Sequence, residues 1–153
     1  MNYEEALEYI HSVSWKGSRP GLSRIAELCE KMGHPEDALR FVQREIRRGN
    51  TYDGILMDPP SYGRGPGGEV WKLEEQIYPL VAECVKLLSD DPLFFLINSY
   101  TTGLSPSVMQ YVLGTLLPKN IGGSLSADEI GLPVTANGMV LPCGATGRWM
   151  ADR

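Results

Sequence analysis

Residues 52–71 read YDGILMDPPSYGRGPGGEVW, and the parsing of this stretch decides the fold. The apolar run Ile55, Leu56 and Met57 carries the chain to an acid, Asp58, and then to Pro59 and Pro60. A short, continuously apolar run bounded by turn residues predicts a strand over about 52–57, covered on both faces. Beyond it, Gly63, Gly65, Gly67 and Gly68 among prolines predict an irregular loop from Asp58 to about Glu69.

The flanks give this strand its setting. Upstream, HPEDALRFVQREIRRGN (residues 34–50) is the clearest helix in the chain. Pro35 suits its first position, Glu36 and Asp37 sit at the positive end of its dipole, and Arg47 and Arg48 at the negative end, before Gly49. Leu39, Val42 and Ile46 form the expected buried face. Downstream, a helix is predicted from about Leu73 to Leu88, with Pro79 either kinking it or marking its true start. PLFFLINSY (92–100) is a second buried strand, and Ser105 and Pro106 open a helix to about Leu117. The segments GGSLSADEIGLPV and GMVLPCGATGRWM read as two strands joined by TANG, an antiparallel pair at one edge. Helix, strand, helix, strand is the pattern of a parallel sheet with crossover connections, so the fold class is α/β.

At the N-terminus, Asn2 and Glu5 form a capping-box start, and Tyr3, Ala6, Leu7, Ile10 and Val13 recur at helical spacing. SWKGSRPG breaks that helix, and a second carries Leu22, Ile25, Leu28 and Met32 to Gly33. The 153 residues suffice for one domain with a modest core. A net charge of −5 argues against a generally basic nucleic-acid-coating surface, leaving Arg40, Arg44, Arg47 and Arg48 as a local basic patch. No apolar stretch reaches membrane-spanning length, and the acidic start MNYEEALEYI does not suit a signal peptide. Cys29, Cys84 and Cys143 lack paired or metal-type spacing; three thiols without a secretion signal predict reduced cysteines in a cytoplasmic protein, and no metal site.

Ligands of open parallel sheets sit beyond the carboxyl ends of the strands, where Asp58 and Asn98 each stand. Because both prolines fix φ, the carboxylate and neighbouring carbonyls are aimed. Such acceptors could grip the exocyclic amine of a base while Tyr62 stacks on its ring. The plainer reading, of similar weight, is a Pro-rich turn with Tyr62 packed on the following helix.

The segments DALRFVQREIRRGNTYDGILMDPPSYGRGPGGEVWKLE, LLSDDPLFFLINSYTTGLSP and EIGLPVTANGMVLPCGATGRW together resemble the C-terminal half of class I S-adenosylmethionine-dependent methyltransferases, those grouped with ribosomal-RNA methyltransferases. The resemblance spans about 37–149, with DPPSY as the family's fourth motif. It implies a partial Rossmann-like sheet, strands four to seven, preceded by an N-terminal helical pair. It also implies that Asp58, Pro59, Pro60 and Tyr62 line the site of methyl transfer, that Asp37 contacts the adenine of S-adenosylmethionine, and that Asn98, Tyr100 and Arg64 meet the substrate, an RNA base. INSYTTG supplies no cysteine nucleophile, so direct transfer to nitrogen or oxygen fits better than covalent addition to a pyrimidine. Cys143 is expected to be a core thiol.

Residues 1–35 resemble a different family, the N-terminus of folylpolyglutamate and dihydrofolate synthases, through YEEALEYIHS and RPGLSRI. No phosphate loop of the GxxxxGK[ST] type follows, so His11, Arg19, Arg24 and His34 are expected on a solvated helical surface. Two units result, 1–35 and 36–153, joined as in a chimera. The glycine-rich half of the cofactor site is expected to be missing. The functional expectation is a methyltransferase-family protein incomplete at the donor end. Its alternatives are a non-catalytic α/β remnant and, more weakly, a folate-type ligase fragment. Without a neighbouring first strand, residues 52–57 form an apolar edge expected to drive self-association, a rearranged compact fold or poor solubility.

Overall fold

A computed structural model describes residues 35–64, 68 and 70–152. The elements expected at 2–33, with His11, Arg19, Arg24 and His34, lie outside the described residues. In chain order the described elements are α1 (Pro35–Arg48), β1 (Gly54–Met57), β2 (Tyr62–Arg64), β3 (Val70–Lys72), α2 (Leu73–Val85), β4 (Phe94–Ser99), α3 (Pro106–Leu116), β5 (Ser124–Val134) and β6 (Met139–Met150).

Helix α1 stops at Arg48 because Gly49 adopts φ +68°, a left-handed conformation that costs glycine no side-chain clash. The Gly49 amide then donates to the Ile46 carbonyl (3.0 Å) and the Asn50 amide to the Glu45 carbonyl (3.1 Å), closing the helix end. The chain turns directly into Tyr52, whose amide donates to the Leu87 carbonyl at 2.7 Å, and so into β1.

Four strands form one sheet in the order β1-β4-β6-β5. β1 and β4 run parallel, from Gly54 beside Phe94 to Met57 beside Ile97. β6 pairs antiparallel with β4, and β5 antiparallel with β6 at the far edge, as the sequence predicts. The sheet is thus a mixed α/β sheet, with β1 at the other edge and no partner on its outer side among the described residues. Beside that edge an apolar groove is lined by Ala38 and Val42 of α1, Leu56 and Met57 of β1, and Leu80 and Cys84 of α2.

The core lies on one face of the sheet. Phe95, Ile97, Ala145 and Trp149 alternate with more exposed neighbours and meet Leu73, Ile77, Leu80 and Val81 of α2 and Met109, Val112 and Leu113 of α3. Each of the buried Leu, Ile, Val, Phe and Met side chains stabilises the fold by about 1.5–3 kcal/mol relative to an exposed position. Gly147 allows the close approach of α3: a Cβ there would lie 2.8 Å from Met109 Cβ.

Three expectations need correction. The stretch after Asp58 is not wholly irregular, since β2 and β3 pair antiparallel within it, Tyr62 opposite Lys72 and Gly63 opposite Trp71. Of the two expectations for Pro79, the start is excluded, because α2 runs through it from Leu73 to Val85. The buried face of α1 includes a carboxylate, Glu45 at 3% exposure, beside Ala38 and Val42.

Candidate functional site

The parallel pairing of β1 and β4 assembles the site. Met57 and Ile97 are partners, so Asp58 and Asn98, one residue further, leave the two strands side by side. Alternation turns both away from the core face. Met57 and Pro59 are buried while Asp58 is exposed, and Asn98 lies half-buried between buried Ile97 and Ser99. Neither the Asp58 carboxylate nor the Asn98 amide makes a hydrogen bond to a described residue. Partial desolvation holds the Asp58 carboxyl above its ordinary range. A partly desolvated acid with no donor among the described residues is placed to accept a hydrogen bond from a ligand.

Tyr100 stands next to this pair on the β4 side, 52% exposed. Its phenol is raised by burial and then by the negative charge of Asp58 and of Cys143, which places all three groups in one neighbourhood. Gly144 on β6 makes this arrangement possible, because a Cβ there would meet the Tyr100 ring at 3.0 Å and collide with the Ser99 carbonyl. Cys143 is therefore not the core thiol expected; it is half-buried, and its Sγ donates to the Leu141 carbonyl at 3.3 Å. Cys84 is the buried one, its thiol pushed up to about 12 by desolvation and then by Glu83.

The prolines are held from behind. The Trp71 indole Nε1–H donates to the Pro60 carbonyl at 2.8 Å, so that carbonyl faces the hairpin and is already occupied. The Leu73 amide donates to the Ser61 carbonyl at 3.0 Å. Across the gap between the strand ends, the Thr101 hydroxyl donates to the Ser61 hydroxyl at 2.7 Å. Two loops are thereby tied together directly beside Asp58.

Tyr62 is 54% exposed on β2 and does not pack under a helix; its hydroxyl accepts from Arg64 Nε at 3.0 Å. Tyr62 and Arg64 thus form one exposed pair on the hairpin, away from the Asp58–Asn98 strand ends in sequence but joined to them through Ser61. Asp37 falls in the first turn of α1, and its side chain lies outside the described residues. Arg40, Arg44, Arg47 and Arg48 are exposed on α1, with Arg48 paired to Glu45 at 3.1 Å and Arg44 stacked 5.1 Å from the centre of the Phe41 ring. No cluster of histidine, cysteine and acid side chains suited to a metal ion occurs among the described residues, and no described helix is long and apolar enough to cross a membrane.

Asp58 and Asn98 were legible as strand-end residues. Ser61, Trp71, Thr101, Gly144 and Cys143 were not, because each enters through a contact between distant segments. The only prior signal was the closeness of Trp71 to the glycine-rich turn.

Comparison with known proteins gives this geometry a family setting. No protein-family model matches the chain, and no curated protein matches it. Among solved structures, a SAM-dependent methyltransferase from Agrobacterium tumefaciens is similar at TM-score 0.65 and 33% sequence identity, over 75% of this chain and 38% of that one. SMU.776, described as a candidate methyltransferase and solved with SAH, is similar at TM-score 0.51 and 17% identity, over 72% of this chain and 29% of its own. The second of these speaks to fold alone. The chain therefore spans well under half the length of the methyltransferases it resembles. Its fold is similar to the Rossmann-like folds of such enzymes. None of the comparisons supports the ligase resemblance of residues 1–35.

Proposed function

We propose that this chain forms the acceptor end of an S-adenosylmethionine-dependent methyltransferase acting on a base nitrogen, in RNA. The observation that carries the reading is the pairing of Asp58 with Asn98 at adjacent strand ends, both free of hydrogen bonds to described residues, with Asp58 partly desolvated. A carboxylate acceptor beside an amide suits a base edge that offers an exocyclic amine next to a ring nitrogen. Tyr100 and Tyr62, each about half exposed, offer aromatic faces for stacking. Arg64 and the arginines of α1 supply cations for phosphates.

The methyl donor supplies a carbon made electrophilic by its sulfonium. This chain's part is alignment: Asp58 accepts an N–H from the acceptor amine and fixes the direction of its lone pair. Asp37 is the residue assigned to the donor's adenine. Among the described residues no GxG turn joins a strand to a helix, so the proposal includes weak donor binding by this chain alone. Cys84 is buried and protonated, and Cys143 lies on β6, so the reading keeps to direct transfer without a covalent adduct.

Calorimetric titration with nucleoside monophosphates tests it. Adenosine, cytidine and guanosine 5′-monophosphates carry an exocyclic amine and uridine 5′-monophosphate does not. At least one of the first three should bind about tenfold more tightly than the uridine compound, and Asp58→Ala should erase the difference with the fold intact. Equal binding of all four, or an unchanged preference in Asp58→Ala, would overturn the assignment. A parallel titration with S-adenosylhomocysteine measures the donor end separately.

A further inference from the structure

We infer that Trp71 is a positioning residue of the acceptor end: by holding the Pro60 carbonyl it fixes how the hairpin that bears Tyr62 and Arg64 is set against Asp58. The argument starts from the backbone freedom left in Asp58–Pro59–Pro60–Ser61. The φ angles of both prolines are fixed by their rings. The ψ angles of Asp58 and Pro59 are restricted as well, because each precedes a proline and is pushed to the extended region. The ψ of Pro60 precedes Ser61 and carries no such restriction. The ψ of Pro60 is therefore the soft backbone torsion of the Asp58–Pro60 segment, and it is the torsion that orients the Pro60 carbonyl.

That carbonyl is what the Trp71 indole grips, at 2.8 Å. Neither proline has an N–H, so this part of the loop cannot anchor itself with donors of its own. Trp71 can serve because it is itself fixed. It stands on β3 opposite Gly63, which has no side chain to contest the space, and its ring packs partly buried against the core. The next ladder bond, from the Leu73 amide to the Ser61 carbonyl, and the Thr101–Ser61 hydroxyl contact hold the residue after the soft torsion. Direction is thereby set on both sides of it. Tryptophan suits this place because its N–H reaches a carbonyl eleven residues back in sequence while its ring stays packed against the core.

This inference rests on the acceptor reading for its functional half, and the test separates the two. In wild-type protein, the Trp71 indole N–H and the Leu73 amide should be protected from hydrogen exchange in nuclear magnetic resonance spectra. Trp71→Phe keeps an aromatic ring and removes the donor. It should speed exchange of the Leu73 amide at least tenfold and weaken the preferred nucleoside monophosphate about tenfold, leaving the S-adenosylhomocysteine titration as in wild type. An unprotected indole in wild type, needing no variant at all, overturns the inference. So does Trp71→Phe with unchanged Leu73 exchange, or with unchanged nucleotide affinity. If wild type binds no nucleotide, the acceptor reading falls, and exchange at the indole and at Leu73 still decides whether Trp71 anchors the loop.

Discussion

Asp58 and Glu45 are two carboxylates whose surroundings push them in opposite directions, and each shift has a measurable consequence. At Asp58 partial desolvation works alone and raises the carboxyl. The ionised carboxylate is the stronger acceptor for a ligand N–H, so the nucleotide preference that Asp58→Ala erases should also fade with acidification, at a pH above the ordinary aspartate range. Calorimetry repeated down a pH series reads this; a preference constant to below that range would count against Asp58. At Glu45 burial also raises the carboxyl, but hydrogen bonds from Tyr52 (2.7 Å), Asn50 (2.6 Å) and Arg48 (3.1 Å), with the Arg48 charge, outweigh it and leave it lowered. A lowered carboxyl stabilises the fold above its ordinary range and loses that contribution as pH falls through the folded value. Glu45→Ala should cost about 2 kcal/mol near neutral pH in urea unfolding, and the gap to wild type should narrow in acid. A pH-independent gap would mean that packing, not charge, is what Glu45 provides. Asp58 was readable because an acid before Pro-Pro at a strand end is a local pattern. Glu45 was not, since helical spacing alone places it beside Val42 and Ile46 as a mismatch; its partners Asn50 and Tyr52 lie beyond the helix end, where only the turn at Gly49 brings them back.

The regular elements were legible wherever their own sequence fixes them. β1 and β4 are apolar runs, α1 carries Pro35 and Gly49 at its two ends, and the β5–β6 pair has its turn within TANG. The β2–β3 hairpin escaped because its three-residue strands have no apolar alternation. YGR and VWK are held by ladder bonds and by Trp71 reaching Pro60, which no short window reveals. Pro79 is tolerated inside α2 rather than starting it. The carbonyl left without a helical donor belongs to Glu75, an exposed residue, where water can take the bond. Helix and sheet meet closely where α3 is seated on β6. A methyl group added at Gly147 would sit 2.8 Å from Met109 Cβ, 3.2 Å from its carbonyl carbon and 3.3 Å from Leu113 Cδ1, so the helix itself has to move. Gly147→Ala should destabilise by about 1–3 kcal/mol, read as a lower thermal midpoint. A midpoint equal to wild type would show that α3 is seated more loosely than these distances state.

Considered as a whole, the molecule is asymmetric. α2 and α3 cover the face that bears Phe95, Ile97 and Trp149, while Leu56, Asp58, Asn98 and Arg148 point the other way. One lateral edge ends in β5, an eleven-residue strand. The other ends in β1, whose outer N–H and C=O groups have no ladder partner among the described residues. That second edge combines backbone groups unpaired among the described residues with an apolar surround, Leu56 being 37% exposed and the groove beside it lined by Ala38, Val42 and Leu80. Folded proteins commonly protect such edges with charge, proline or a covering element, and an unprotected one is a template for another strand. Association of copies through β1 is therefore proposed, weak because the strand has only the four residues Gly54–Met57 to pair. Sedimentation velocity from micromolar to millimolar concentration should show a rising average coefficient. Leu56→Lys places a charge on the edge without disturbing the core side of β1, and should flatten that rise while leaving the thermal midpoint near wild type. A wild-type protein that sediments as a clean monomer throughout would mean that the edge is already covered, and the acceptor site would then have to work without a second copy.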